Sequence, residues 1–356
     1  MRRTHMTSMK LLLGASALIA TVAAADLAVA CSRVLWADNG QAVVVGRNMD
    51  WPVDTRAKLW AFPRGITRSG LSGDDNSLQW TSKYGSVAVS FYDVGTADGI
   101  NEKGLVVNSL WLTEADYGPR DPKLPGLSLA LWLQYMLDNF ATVTEAVQAS
   151  EHDAFQVVGL NVPGGDAATL HIALADASGD SAIIEIVGGG KVRIHHDRSY
   201  RVMTNSPSFP EQLANLQKYQ GFGGAVALPG TSEAADRFVR AAYYLQNLPK
   251  PQDFRQTIAS ILSVMRNVAQ PFMQPDPKRP EASHTVWRTV SDATDREYFF
   301  ESTLSPNIVW VRLDGLDLKP GAPVRKLDLM HNVDLVGDVT GAFQPSEPLT
   351  FAKGGS

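Results

Sequence analysis

The chain has 356 residues, with 32 basic and 37 acidic side chains, a formal net charge of −5 and one cysteine. A net negative charge argues against nucleic acid as a partner, because binding to phosphates needs net or clustered positive charge. A single cysteine excludes an internal disulfide, so the thiol must bridge two chains, carry a lipid, lie buried or react.

The first 30 residues have the three parts of a secretory signal peptide. Three basic residues occur among the first ten, residues 11–25 are mostly apolar, and residues 28–30 read Ala-Val-Ala. The apolar run contains glycine, serine and threonine and is short for a membrane span of about 20 residues. We predict cleavage after Ala30, a periplasmic or secreted mature protein, and no stable association with the membrane.

Residues 31–356 contain no repeat, low-complexity tract or linker, so we predict a single domain. Runs of β-branched and aromatic residues between turn signals predict strands at 32–36, 41–46, 59–62, 87–92, 105–112, 169–176, 181–187, 191–196, 285–290, 297–301 and 308–313. Helical spacing and capping residues predict helices at 127–139, after Thr142, at 232–245 and from Asp253 to about 268. Strands in blocks with helices between them predict an α+β fold of layered antiparallel sheets.

Cleavage before Cys31 would place a thiol and a free α-amine on one residue. A thiol has a pKa of about 8.5 and an α-amine one of about 7.7 to 8.0, so a neutral amine can accept the proton of the thiol. Nucleophile and base would then share one residue, as in an N-terminal nucleophile hydrolase. Such a reaction uses no cofactor.

The hairpin that follows Cys31 brings two charged residues towards it. A turn centred on Asn39 would place Arg47 directly opposite Cys31 and on the same face. A guanidinium there would lower the pKa of the thiol, although a register slip of one residue would move Arg47 to the other face. Asp50, at the end of the strand, could accept a hydrogen bond from the amine or the thiol. The alternatives are a solvated strand charge for Arg47 and a turn cap for Asp50.

Several segments in order along the chain resemble the choloylglycine hydrolase family, which includes bile salt hydrolases and penicillin V acylases. They read GRNMDW, KLWAFPRGI, DGINEKGLVVNSLWL, VMTNSPSF and LPGTSEAADRFVRAAYY. The resemblance implies the four-layer αββα sandwich of N-terminal nucleophile hydrolases. It also implies roles for the residues that match: Cys31 as nucleophile, Arg47 and Asp50 as the pair that orients and activates it, Asn205 in the oxyanion hole, and Arg237 as a second active-site arginine.

One position departs from the better-known members of that family. Trp111 stands where bile salt hydrolases have asparagine and many penicillin V acylases have tyrosine, and an indole donates only one hydrogen bond. Backbone N–H groups would then share the oxyanion with Asn205. Trp111 and Trp51 resemble the Gram-negative branch, whose members are similar to penicillin V acylases and also cleave N-acyl homoserine lactones.

Trp51 and Trp111 are predicted to bind the substrate in an apolar pocket for a phenoxyacetyl or fatty acyl group. Trp60 is a further candidate, although packing in the core explains it more simply. The segment between Asn205 and Arg237 is shorter than in the Gram-positive members, where it includes an extension used in tetramer assembly. A homo-oligomer, tetramer or dimer, is therefore an open possibility.

The predicted function is the hydrolysis of a linear, non-peptide amide by an exported enzyme. We rank penicillin V and N-acyl homoserine lactones as substrates before conjugated bile salts. A different class of protein, a lipoprotein binding module lipidated at Cys31, is the non-enzymatic alternative. No metal site is predicted, because the sequence has no HExxH or CxxC motif, and a GxSxG serine elbow is also missing.

Overall fold

Two large sheets are stacked between layers of helices in this protein, for which we use a computed structural model. The structure describes residues 31–152, 155–162, 165–222, 226–272, 283–305, 307–329 and 334–355. The predicted signal peptide lies outside the described residues. None of the described helices is both long enough and apolar enough to span a membrane.

The first half of the described chain is mostly strand. Its strands are β1 (Ser32–Trp36), β2 (Val44–Trp51), β3 (Leu59–Phe62), β4 (Thr67–Ser69), β5 (Gln79–Thr81), β6 (Ser86–Phe91), β7 (Gly95–Asn101), β8 (Val106–Trp111) and β9 (Gly126–Ser128). Helices α1 (Leu129–Asn139) and α2 (Val143–Glu151) follow. The next strands are β10 (Gln156–Val158), β11 (Leu170–Ala175), β12 (Ser181–Val187), β13 (Lys191–His196) and β14 (Val202–Met203).

Three further helices precede the last strands. They are α3 (Phe209–Leu216), α4 (Ala234–Gln246) and α5 (Phe254–Asn267). The remaining strands are β15 (His284–Asp292), β16 (Glu297–Ser302), β17 (Ile308–Arg312), β18 (Arg325–Leu327), β19 (Gly337–Asp338) and β20 (Gln344–Pro345). Short 3₁₀ turns occupy Gln217–Phe222, Leu313–Gly315 and Thr340–Ala342.

The two sheets and the helices that cover them make a four-layer αββα sandwich, which confirms the predicted fold class. One sheet has seven strands in the order β14-β1-β2-β15-β16-β17-β19, and the other has nine in the order β13-β12-β11-β8-β7-β6-β3-β18-β20. Their pairings are antiparallel apart from β17 with β19. Helices α4 and α5 pack on β1 and β2 of the first sheet, and α1 packs on β7 and β8 of the second.

Strand β2 lies at the centre of this arrangement and is buried along its whole length. It pairs with β1 on one side and β15 on the other, while α5 covers its outer face. Gly46 permits the close approach of α5, because a Cβ atom there would lie 2.6 Å from Cγ of Met265. Burial on both faces explains why β2 holds its polar side chains in the interior.

The predicted elements agree with the structure except at some ends. Helix α1 begins at Leu129 and not at 127, because residues 126–128 pair with β10 and Ser128 caps the helix by accepting a hydrogen bond from the N–H of Ala130. Helix α4 begins at Ala234, two residues later than predicted. The caps predicted at Thr142 and Asp253 are present.

The predicted register of the first hairpin is wrong by two residues. Arg47 pairs with Arg33, not with Cys31. The reason is a longer loop, in which the Asn39 side chain bonds the backbone of Trp36 and Ala42 and the pairing is centred on Gly40, with a φ of 83°. Because the shift is an even number of residues, Arg47 stays on the predicted face and reaches Cys31 diagonally.

Residues 349–355, which we call the C-terminal segment, connect three separate parts of the nine-stranded layer. The N–H groups of Ala352, Gly354 and Gly355 donate to the carbonyls of Val94, Leu71 and Gly159, at 2.8, 2.8 and 2.7 Å. The hydroxyl of Ser128 donates to the Ala352 carbonyl at 2.7 Å. This segment therefore fixes the turn before β7, the start of α1 and the loop after β10 against one another.

Candidate active site

Cys31 lies immediately before β1 in the interior of the sandwich, with 2% of its surface exposed. Its Sγ is 3.9 Å from Nη2 of Arg47, 3.9 Å from Sδ of Met49 and 4.0 Å from the Asp50 carbonyl oxygen. These three residues all belong to β2, so one strand positions most of the groups around the thiol.

Arg47 presents its positive charge to the thiol from a buried position. Its Nη2 donates to the carbonyl of Ser109 at 3.0 Å, and the guanidinium lies over the ring of Trp287, 4.4 Å from the centroid. Among the described residues, Nε and Nη1 of Arg47 have no hydrogen-bond partner. No carboxylate in the described part of the chain forms a direct ion pair with Arg47, although its charge favours the ionised forms of the buried Asp98 and Asp50.

Arg237 reaches Cys31 from the first turn of α4. Its Nη1 donates to the Cys31 carbonyl and to Oγ of Ser32, and its Nη2 donates to Oδ1 of Asn205 at 3.0 Å. The same Nη1 is 4.0 Å from Oδ2 of Asp50. Arg237 thus connects the backbone of the cysteine with the two other polar residues predicted for the site.

Asp50 is fully buried, and one of its two oxygens is unpaired. Oδ1 accepts a hydrogen bond from the hydroxyl of Thr285, whereas Oδ2 has no hydrogen-bond partner among the described residues. Burial raises the pKa of Asp50 to about 6, against the opposing charge of Arg237. The predicted hydrogen bond from the amine or thiol of Cys31 to this carboxylate is not made; the nitrogen of Cys31 donates to Asn205 instead.

The hydrogen bonds of Asn205 fix which way its amide faces. Oδ1 accepts from Arg237 and from the Cys31 nitrogen, and Nδ2 donates to the carbonyl of Trp111 at 2.8 Å. Arginine can only donate and a carbonyl can only accept, so the reversed amide would lose these bonds. Nδ2 has a second N–H, which has no hydrogen-bond partner among the described residues.

The thiol of Cys31 does not have the lowered pKa that the hairpin predicted. Burial raises the pKa of Cys31, and the charge of Arg47, although it acts in the expected direction, does not outweigh this effect. The thiol is consequently neutral at rest, and a base must remove its proton before it can attack a carbonyl.

A pocket opens from Cys31 and is lined almost entirely by apolar side chains. It encloses about 660 Å³ of empty space when the open solvent at its mouth is included. Trp51 and Trp111 are both on its wall, with ring centroids 5.8 Å apart, as expected from the sequence. Trp60 does not line the pocket and stacks on Phe62 in the core at 5.9 Å.

Sequence reasoning missed several residues that build this site. Met49, Ser109 and Trp287 hold Arg47 in place, and only the strand register could have identified them. A buried network next to the Asn205 loop was also missed. Its centre is Glu185, which accepts a hydrogen bond from the Phe209 N–H at 2.8 Å and lies 3.4 Å from His171 and 3.1 Å from His195. Nε2 of His171 is 2.9 Å from the Thr204 carbonyl oxygen.

This buried network supports the loop that carries Asn205. Although burial opposes it, hydrogen bonding to His171 and His195 lowers the pKa of Glu185 to about 2, so the carboxylate is ionised at neutral pH. Nε2 of His171 must donate to the Thr204 carbonyl, because a carbonyl oxygen can only accept. The histidine pair at 195 and 196 therefore contributes one member, His195, to the structural support of the site.

The fold and the site together define an amidohydrolase that acts on linear carbon–nitrogen bonds. A sequence model for linear amide C–N hydrolases of the choloylglycine hydrolase family matches residues 31–335, and the chain belongs to this family. The match begins at Cys31.

Individual relatives agree with this assignment. A penicillin V acylase of Pectobacterium atrosepticum is 44% identical over 95% of this chain and 96% of its own length. The structure of a penicillin V acylase from Agrobacterium tumefaciens, 48% identical, superposes with a TM-score of 0.82 over 91% of this chain and all of that one. A bile salt hydrolase/transferase of Clostridium perfringens is 28% identical over 63% of this chain and 74% of its own. The protein is therefore penicillin V acylase-like.

Proposed function

We propose that the protein is exported, loses residues 1–30, and hydrolyses the amide of penicillin V-type or N-acyl homoserine lactone substrates with Cys31 as nucleophile. The observation that carries the proposal is the position of the Cys31 thiol, next to Arg47 and in the lining of an apolar pocket. The family match that begins at Cys31 supports cleavage at this residue.

In the proposed reaction the α-amine of Cys31 takes the proton of the thiol, and Sγ attacks the acyl carbonyl carbon. The ammonium formed then gives its proton to the leaving amine as the carbon–nitrogen bond breaks. Water attacks the resulting thioester, again with the amine as base, and releases the acid. Burial and the neighbouring guanidinium of Arg237 favour the neutral amine, and Oδ2 of Asp50 supplies the unpaired acceptor that would orient it.

The oxyanion would be held by Asn205 Nδ2 and the backbone N–H of Trp111. The N–H of Leu112 donates to Thr169 across the β8–β11 pairing. Successive residues of a strand point their N–H and C=O groups to opposite sides, so those of Trp111 point away from β11, to the side where Asn205 already reaches the Trp111 carbonyl. The indole of Trp111 then serves as pocket wall.

We expect Asn205→Ala to fold and to lose about 10²- to 10³-fold in kcat, the usual cost of one oxyanion donor. Asn247→Ala is a matched control, because Asn247 is an exposed residue that ends α4. Turnover of a phenoxyacetyl amide by both variants checks the prediction. An Asn205→Ala enzyme as fast as the control would remove Asn205 from the oxyanion hole.

Activity should fall as the pH is lowered through about 6, because only ionised Asp50 can orient the ammonium formed during the reaction. The stability trend is the reverse. Between pH 3.8, the ordinary pKa of an aspartate, and about pH 6, the folded state holds a proton on Asp50 that the unfolded state has lost. The contribution of Asp50 to the free energy of unfolding therefore falls as the pH rises across this window and is constant above it.

A profile of kcat/KM from pH 4.5 to 8 measures this effect. Asp292→Asn provides the control: burial also raises the pKa of Asp292 to about 6, but it pairs with Val44 at the opposite end of β15 from the Thr285–Asp50 pair. The control should keep the wild-type profile. A wild-type rate that is constant down to pH 4.5 would contradict the role of Asp50.

The proposed substrate class is tested by comparing penicillin V, a long-chain acyl homoserine lactone and glycocholate in one assay. We expect the first two to be cleaved faster, since an apolar pocket lined by Trp51, Trp111 and Phe91 suits a flat ring or an alkyl chain. A clear preference for glycocholate would support bile salt hydrolysis instead.

Lipidation of Cys31 is disfavoured by the burial of the thiol, and a mass spectrum of the exported chain tests it. A dimer or tetramer stays a prediction.

A further inference from the structure

One hydroxyl on the wall of the acyl pocket has no hydrogen-bond partner among the described residues. It belongs to Thr96, which lines the pocket and has only 7% of its surface exposed. Leaving a buried hydroxyl unpaired is unfavourable, and buried polar groups in native proteins are nearly always paired. A residue of this kind in a substrate pocket points to a partner on the substrate.

A β-bulge brings Thr96 into the lining of the pocket. Ser90 pairs with Thr96 and Val89 pairs with Asp98, so Ala97 is an extra residue in β7. Because of the bulge, three consecutive residues, Gly95, Thr96 and Ala97, line the pocket, whereas a regular strand would alternate them between its two faces. The bulge therefore places a polar side chain on an apolar wall.

The bulge is held by the same residue that holds Arg47. The hydroxyl of Ser109 donates to the Ala97 carbonyl at 3.1 Å, and the Ser109 carbonyl accepts from Arg47 at 3.0 Å. Thr96 is thus joined to the catalytic end of the pocket through Ala97 and Ser109. The other pocket hydroxyl, that of Ser109, is already used, so Thr96 is the one left for the acyl group.

We propose that Thr96 selects acyl groups that carry an oxygen near the scissile carbonyl, as an ether, ketone or hydroxyl, over plain hydrocarbon chains. This inference rests on the proposed function of the same site. A threonine hydroxyl both donates and accepts, so it can pair with any of these three groups. In the phenoxyacetyl group the third chain atom, counted with the carbonyl carbon as the first, is an ether oxygen, and in 3-oxoacyl chains it is a carbon that carries a ketone oxygen. Phenylpropanoyl and plain alkanoyl groups have no oxygen at that position.

The test compares phenoxyacetyl and 3-phenylpropanoyl amides of the same amine, which differ by one oxygen in place of one methylene. We expect the wild-type enzyme to prefer the phenoxyacetyl amide about 3- to 10-fold in kcat/KM, the effect of one neutral hydrogen bond. Thr96→Val should bring this ratio to about 1, and Thr96→Ser, which keeps the hydroxyl, should preserve it.

Thr169→Val is the matched control, because its hydroxyl also lacks a partner among the described residues but the residue does not line the pocket. Its ratio of kcat/KM for the two amides should equal that of the wild type.

Thr96→Val should also melt at or above the wild-type temperature, because it removes an unpaired hydroxyl. A lower melting temperature would indicate a structural hydrogen bond and contradict the proposal. An unchanged ratio in Thr96→Val, or no preference in the wild type, would equally overturn it. Failure of the wild type to cleave either amide would count against the proposed function and not against Thr96 alone.

Discussion

Replacing Cys31 with alanine should reduce kcat by at least about 10⁴-fold and leave the fold intact, because no other thiol is present to attack the substrate. Cys31→Ser should also be slow, since a hydroxyl has a much higher pKa than a thiol and its proton is harder for the α-amine to remove. Turnover of a phenoxyacetyl amide, with a melting curve for each variant, measures this.

Alkylation provides an independent measurement on the wild-type protein. Because Cys31 is the only cysteine, one equivalent of iodoacetamide label per chain should coincide with loss of activity, and Cys31→Ala should take up no label. An alanine variant that kept a tenth or more of the wild-type turnover would exclude Cys31 as the nucleophile.

A chain in which Cys31 is still joined to Ala30 should have a kcat about 10²- to 10⁴-fold lower, the range expected for loss of a general base. The nitrogen is then an amide, which cannot accept a proton, while burial keeps the pKa of the thiol high. No other described side chain in the pocket lining is a base that could replace it.

This prediction can be tested within one sample. A protease site placed so that cleavage leaves Cys31 at the N-terminus should produce an inactive protein that gains activity with the same time course as the cut. The melting temperature of the folded domain should hardly change. Full activity before cleavage would show that the base lies elsewhere and would contradict the proposed mechanism.

The layers of the fold could be predicted because strand and helix patterns in this chain are local. Helix α5 shows this: its Asp253 cap and the spacing of its apolar residues are both visible in the sequence. The positions of Asn205 and Arg237 beside Cys31 could not be obtained this way. They join the cysteine through hydrogen bonds over more than 170 positions, and only the family resemblance pointed to them.

The errors have physical causes that the hydrophobic pattern of the sequence does not show. The hairpin register depended on the Asn39 side chain, which bonds its own loop and lengthens it. The direction of the Cys31 pKa depended on burial, which outweighs the single nearby charge of Arg47. Thr96 was not noticed because its orientation results from a bulge, and a bulge of one residue leaves no signal in a hydrophobic pattern.

The C-terminal segment has a consequence for when the protein becomes an enzyme. Residues 352–355 hold the turn at Val94, the start of α1 and the loop at Gly159, and each of these carries or adjoins residues of the acyl pocket. During synthesis on the ribosome the chain emerges from its N-terminus, so the thiol exists long before these last contacts can form. A nascent polypeptide would therefore carry Cys31 without a finished binding cleft until residues 352–355 have been synthesised.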